Sequence, residues 1–320
     1  MAVSFLAAGT ASAGEDARLV EAIRSSVDYL GKEGDRWLRG EVPVQEGKGC
    51  VSCHHVGYAL WSRREAQLAG VVTDDAAATD LRSRAMASQA RPGITRVVSA
   101  TQMIMAGAHS DNDLELIRSD GKPAGNWRAG GQFPTQLRGE DESDDVASMW
   151  TLAALATLQS LDAETEARRE RASSWMGQAE PGASSEWHIA RLVVASRQGD
   201  ETHGSDLLER VLSAQNPDGG WGWLVEGPSN PFSTGQAVYA LALVDDERAR
   251  PARQRGVAYL LERQQPDGTW ATPSKLTSTK PSDGKDYVYR YWGTAWASIG
   301  LSRSLAARAS ESSVDHRARR

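Results

Sequence analysis

The chain has 320 residues, 40% of them hydrophobic and 24% charged, with a formal net charge of −6. That is enough apolar material for one large core or two small ones, and the mixed charges form no basic stripe of the kind that binds nucleic acid. No apolar run approaches the roughly 18 residues of a membrane span, so the sequence predicts no nucleic-acid partner and no membrane span.

Residues 1–13 are small and apolar and end in Ala11-Ser12-Ala13. A small-x-small ending is the cleavage pattern of a secretory signal. No Lys or Arg precedes the apolar stretch, as expected of a signal truncated at its start. The sequence therefore predicts a signal peptide over 1–13 and a periplasmic or otherwise exported chain from Gly14 onward. An amphipathic helix is predicted over 16–38.

The two cysteines come next, and they are three apart: Cys50-Val51-Ser52-Cys53-His54. A secreted disulfide framework would use more cysteines, spread more widely. The C-x-x-C-H spacing is that of covalent c-type haem attachment. The thiols of Cys50 and Cys53 can reach two vinyl groups of one porphyrin, and His54 can present an imidazole to the iron as its axial metal ligand. A thioredoxin-like pair would need a βαβ setting, and a zinc site would have to fill two corners from adjacent His54 and His55. The cofactor expected is one covalent haem c. Its sixth ligand stays open among Met103, Met105, His109, Met149 and His188.

Strand signals are weak, and helical signals recur. Ala-rich segments over 56–67, 96–108, 145–158, 187–196, 233–244 and 292–302 read as six inner helices, because small residues let helices pack closely. More amphipathic segments, such as 163–177 and 205–214, read as outer partners. The acidic run Asp141-Glu142-Ser143-Asp144-Asp145 precedes an inner helix, where such residues cap exposed amides and complement the helix dipole. Near the C-terminal end, Tyr287, Tyr289, Tyr291 and Trp292 cluster before the last inner helix. With Trp221 and Trp223 they form either plain packing or the rim of a pocket for a sugar, lipid or quinone.

Two turns share one punctuation. Gln215-Asn216-Pro217-Asp218-Gly219-Gly220-Trp221 and Gln264-Gln265-Pro266-Asp267-Gly268-Thr269-Trp270 both read Q-x-x-x-G-x-W, a sign of a structural repeat. Trp127 after Gly125, and Trp37, look like eroded copies. The fuller pattern from Arg255 to Trp270, R-G-x-x-Y-L-x-x-x-Q-x-x-x-G-x-W, resembles the QW repeat of squalene–hopene cyclases, whose toroid is shared by protein prenyltransferases. The resemblance implies an all-α fold, an α/α toroid of about six inner and six outer helices. It also implies structural roles for Gln215, Trp221, Gln264 and Trp270: the amide ties a helix end to the next helix and the indole stacks beside it. It invites comparison of Glu142-Ser143-Asp144-Asp145 with the D-x-D-D general acid of those cyclases. A prenyltransferase-type zinc site would need a cysteine, and both are assigned to haem.

The sequence thus predicts one toroid domain over 14–305 with the haem motif at 50–54, and a flexible tail over 306–320. The leading function expected is an exported c-type haem-binding protein in electron transfer or haem-dependent redox chemistry. Its redox partner is unspecified, and a small apolar or sugar ligand could occupy the toroid. The alternative is a terpenoid cyclase or prenyltransferase-like enzyme, or a lipid- or glycan-binding module in which haem serves as sensor or staple.

Overall fold

The structure, a computed structural model, describes residues 3–41, 55–73, 76–88, 96–129, 138–273 and 285–318. Among these, six outer helices alternate along the chain with six inner ones. The outer set is α1 (Val3–Arg39), α3 (Ala76–Ser88), α5 (Asp111–Ser119), α7 (Ala163–Met176), α9 (Glu201–Ser213) and α11 (Ala249–Arg263). The inner set is α2 (Gly57–Leu68), α4 (Arg96–Met105), α6 (Glu140–Leu155), α8 (Ser185–Gln198), α10 (Pro231–Leu241) and α12 (Lys285–Ala318). Each inner helix packs on the next, and α12 packs back on α2, so the inner ring closes. The fold is an α/α toroid, and its inner helices fall on the six Ala-rich segments of the sequence.

Burial explains the division. Every residue of α10 is buried, as a helix flanked on all sides requires. In α7 the buried residues are Thr165, Arg168, Ala172 and Met176, a single stripe at helical spacing. The α10–α12 contact is tight enough to require glycine. A Cβ on Gly235 would lie 2.3 Å from the Trp296 carbonyl carbon, and one on Gly300 would lie 2.4 Å from the Gly235 oxygen.

The repeat acts as an amide-and-indole clamp, but each amide skips the helix that follows in the chain and ties to the next outer helix. Trp221 Nε1 donates to Val211 O and Trp270 Nε1 donates to Leu260 O, each at 2.8 Å. Their backbone amides donate to Thr234 Oγ1 and Thr294 Oγ1 of the following inner helices. Gln215 Nε2 reaches Ala252 O of α11, and Gln264 Nε2 reaches Ala22 O of α1, both at 2.9 Å. The second bond ties the last outer helix to the first. Gly219 and Gly268 have φ of +87° and +82°, and a Cβ on either would lie 2.7 Å from a carbonyl of the neighbouring outer helix. Only glycine suits both constraints.

Trp127 is a true third copy. Its indole donates to Ile117 O at 2.8 Å, and its amide to Ser148 Oγ. Arg168 takes over the missing glutamine's part, donating to Asn126 O at 2.8 Å with its guanidinium 4.4 Å from the Trp127 ring. Trp37 is not a copy: it lies inside α1 near its end and stacks on His55 at 3.8 Å.

Bonds near the C-terminal ends of α4, α6, α8 and α10 close the base. Arg197 of α8 donates to Ala153 O of α6 and to the Tyr239 hydroxyl of α10, and lies 3.3 Å from Met105 Sδ of α4. Arg303 of α12 pairs with Glu65 of α2 at 2.6 Å. Beyond the base, α12 continues as helix to Ala318, across the segment read as a tail. There Arg308 pairs with Glu15 and Asp16, and Glu311 with Arg250 and Arg253. α1 is helical from Val3 across the predicted cleavage point between Ala13 and Gly14. Among the described residues no helix is long and apolar enough to cross a membrane.

Candidate active site

At the opposite end, the inner helices begin with strong start signals. Ser184 caps α8, its hydroxyl accepting from Trp187 N at 3.2 Å. Asn230 caps α10, accepting from Ser233 N at 2.9 Å, with Pro231 as the first helical residue. Proline suits that position because its missing N–H would have had no partner there. These caps fix where Glu186 and Gln236 emerge.

Glu186 is the centre of a buried polar network. Its Oε2 accepts from Arg138 Nη1 at 2.7 Å, and the two side chains are 3% and 1% exposed. Its Oε1 accepts from Trp150 Nε1 at 3.0 Å and from Gln236 Nε2 at 2.8 Å. Arg138 Nε also donates to Ser143 Oγ at 3.2 Å. A buried ion pair repays its desolvation only when further hydrogen bonds complete it, and here α6 supplies two, through Trp150 and Ser143, and α10 one, through Gln236.

Beneath this network the interior of the ring is aromatic. Trp296 of α12 lies 4.8 Å from Trp61 of α2, 4.9 Å from Trp150 of α6 and 6.1 Å from Tyr239 of α10, ring centre to ring centre. Trp61 and Trp150 meet edge to face at 6.1 Å, although α4 separates their helices in the ring. Toward the start of the helices, Trp223 packs on Phe232 at 4.6 Å and on Tyr289 at 5.8 Å. Burial pushes the phenols of Tyr239 and Tyr289 up to about 12. It drives that of Tyr58 higher still, with the Glu186 charge adding to the effect. These hydroxyls are neutral at any physiological pH.

The acidic run divides its work. α6 starts at Glu140, so Asp144 and Asp145 fall in its second turn and cap nothing. Asp144 is buried, accepting from Ala129 N at 2.7 Å and pairing with Lys122. Glu142 accepts from Ser184 N at 2.8 Å. Asp145 is half-buried and accepts from Trp187 Nε1 at 3.3 Å. Burial raises its carboxyl above the usual range, and the charges of Glu142, Asp141 and Asp144 add to the rise. Ionising Asp145 therefore costs the fold something. Its contribution is most favourable below about pH 4 and falls as pH climbs through the raised value. Asp145→Asn should flatten that part of the stability profile and leave the protein at least as stable at pH 7, as read from thermal midpoints between pH 4 and 8. A marked loss at neutral pH would refute this account.

Of the aromatic residues singled out in the sequence, Trp223, Tyr289 and Trp292 come together. Tyr287 and Tyr291 instead face α1, through Glu33 and Leu30 O. Cys50, Cys53 and His54 lie outside the described residues. Four of the five proposed sixth ligands are occupied otherwise, and the fifth, His109, has a buried Nδ1 with no hydrogen-bond partner. Met103 and Met149 are core, Met105 contacts Arg197, and a ring nitrogen of His188 is bonded to Gly182 O at 3.0 Å. Sequence reasoning missed Arg138, Glu186 and Gln236. The available signals were a lone glutamine in the apolar α10 segment and an acidic residue opening α8, which reads as ordinary dipole complementation.

Residues 197–303 match the family model of the squalene-hopene cyclase C-terminal domain. A stretch of 101 residues is 38% identical to drimenyl diphosphate synthase of Streptomyces showdoensis, covering 28% of this chain. The match takes in 19% of that enzyme, so the chain spans about a fifth of the length of the curated relative. Among solved structures, a variant of the type II terpene cyclase MstE from Scytonema, bound to geranylgeranyl dihydroxybenzoate, is similar over 92% of this chain and 99% of its own. The TM-score is 0.55 and the identity 13%. A possible member of the GH105 family from Salmonella enterica subsp. enterica serovar Paratyphi A is similar over 90% and 93%, with a TM-score of 0.56 and 12% identity. Likeness at such identities shows the fold alone, and a fold does not fix a chemistry.

These similarities overturn the leading functional expectation. The matched family and the sequence relative belong to terpene cyclisation, not to electron transfer, so the haem c cofactor and the redox function assigned to the chain do not stand. A five-residue C-x-x-C-H match carries far less information than 38% identity over 101 residues. The toroid reading, by contrast, is correct.

Proposed function

We propose that this chain is a terpenoid cyclase-type enzyme that closes rings in a prenyl chain by proton-initiated cyclisation. One observation carries the reading: the interior of the inner ring is built of packed aromatic side chains and has a buried, hydrogen-bonded ion pair at the end where those helices begin. The similarity over 197–303 and the cyclase and synthase names of the relatives support it. A carbocation has no counterion to follow it, and ring faces offer it electron density without a nucleophile that would quench it.

We assign the acid to Asp145. It lies in the tetrad that resembles D-x-D-D, no cation pairs with it among the described residues, and its surroundings favour the protonated form. Its proton adds to one carbon of a terminal alkene. The remaining alkene electron pairs then form carbon–carbon bonds in turn, and a proton leaves a neighbouring carbon, so the product is an isomer of the substrate. General-acid catalysis of this kind needs a donor whose proton is retained near the working pH.

The test is incubation with geranylgeraniol or farnesyl diphosphate in H₂O and in D₂O, with products read by mass spectrometry. The expected product has the substrate's mass in H₂O and carries one added deuterium in D₂O. Asp145→Asn should abolish it while the protein stays folded. Recovery of unchanged substrate, or of open-chain hydrolysis products alone, would refute the reading.

A further inference from the structure

The ion pair at the head of the ring leaves part of its hydrogen-bonding capacity unused. Arg138 spends Nη1 on Glu186 and Nε on Ser143, but its Nη2 is buried with no acceptor. Two other buried donors nearby are in the same condition, Ser185 Oγ and Trp223 Nε1. The three belong to one neighbourhood. Ser185 adjoins Glu186 and donates its backbone amide to Trp223 O at 2.9 Å. The Trp223 ring packs on Tyr289, whose phenol feels the Arg138 charge.

Buried donors without acceptors are uncommon in folded proteins and cost free energy, so each one calls for an explanation. All three groups here can donate, and their common complement is an oxygen. A bare polyene could satisfy none of them. The charge balance narrows the choice further. Glu186 already neutralises Arg138, so a diphosphate would bring uncompensated negative charge next to the Glu186 carboxylate. A hydroxyl, epoxide or carbonyl oxygen brings none.

We infer that the substrate is a prenyl chain bearing a neutral oxygen head group, and that Arg138, Ser185 and Trp223 anchor that oxygen at the N-terminal end of α8. The inference rests on the prenyl-cyclase reading and deepens it by naming the substrate class. The head-anchoring residues are then specificity determinants, separate from the acid.

Binding is measured by quenching of tryptophan fluorescence with three probes of one chain length: geranylgeraniol, geranylgeranyl diphosphate, and the hydrocarbon in which hydrogen replaces the hydroxyl. The alcohol should bind about tenfold more tightly than the hydrocarbon, the ratio expected of one or two hydrogen bonds. The diphosphate should bind no better than the alcohol. Ser185→Ala removes an unpartnered hydroxyl, and Trp223→Phe removes an unpartnered indole N–H together with part of the ring. Each should narrow the alcohol-to-hydrocarbon ratio several-fold without weakening the hydrocarbon. Equal binding of alcohol and hydrocarbon overturns the anchor and leaves the prenyl reading standing, and so does a ratio that neither variant changes. Tightest binding by the diphosphate overturns the neutral head group. Failure of all three probes to bind overturns the prenyl reading itself.

Discussion

Trp270→Ala should cost about 3–5 kcal/mol of folding stability, the range for truncating a large aromatic in a close-packed interior. The indole is fully buried, 0% exposed. Its ring belongs to a cluster formed by Leu19 and Ile23 of α1, Val257 and Leu260 of α11, and Leu301 of α12. That cluster joins the first helix of the chain to the last two, so the cavity would open at the seam of the ring. The substitution also strands Leu260 O, which accepts the indole proton. Trp270→Phe separates the two effects. It keeps most of the volume and loses the hydrogen bond, so it should cost less than the alanine variant, with about 1 kcal/mol assignable to the bond. Denaturant midpoints at constant slope measure both. A cost near zero for the alanine variant would show that the ring is not sealed by this repeat.

The toroid was legible because its determinants are local. Ala-rich segments mark inner helices by composition, and the turns after α9 and α11 carry Gln, Gly and Trp at fixed spacing because one backbone geometry recurs. The copy at Trp127 kept its indole bond to a carbonyl ten residues back, and so kept a trace in the sequence. Trp37 had no such turn and was misplaced on its residue type alone. α3 and α5 were hard to read because α3 buries only the small stripe Ala78, Leu81 and Ala85, and α5 is nine residues long. The acidic run was visible, but its roles were not. Whether Asp144 meets Lys122 while Asp145 meets Trp187 depends on which helix lies beside each face. The Arg138–Glu186 pair lies furthest from sequence reasoning, since 48 residues separate its members and neither is unusual where it stands. The C-x-x-C-H run misled for the opposite reason. It is complete within five residues, and no wider context was needed to match it.

The second large effect falls on that ion pair. Glu186→Ala and Arg138→Ala should each lose about 3–5 kcal/mol, because either one leaves a charge buried without its counterion. Glu186→Ala also strands the donors of Trp150 and Gln236, which ties α6 and α10 to the loss. Replacing both partners with apolar residues of similar volume, Arg138→Met with Glu186→Leu, should recover much of the stability of either single variant, since no buried charge remains. The two residues touch, so their effects should be strongly non-additive, and a double-mutant cycle measures the coupling directly. A sum of the single losses in the double variant would mean that the pair is solvated. Turnover should move the other way from stability. The apolar double variant folds, but it has lost the guanidinium that orients the oxygen head, so a cyclisation assay should show a raised KM for geranylgeraniol. The two readouts part because Arg138 spends Nη1 and Nε on the fold and leaves Nη2 for the substrate.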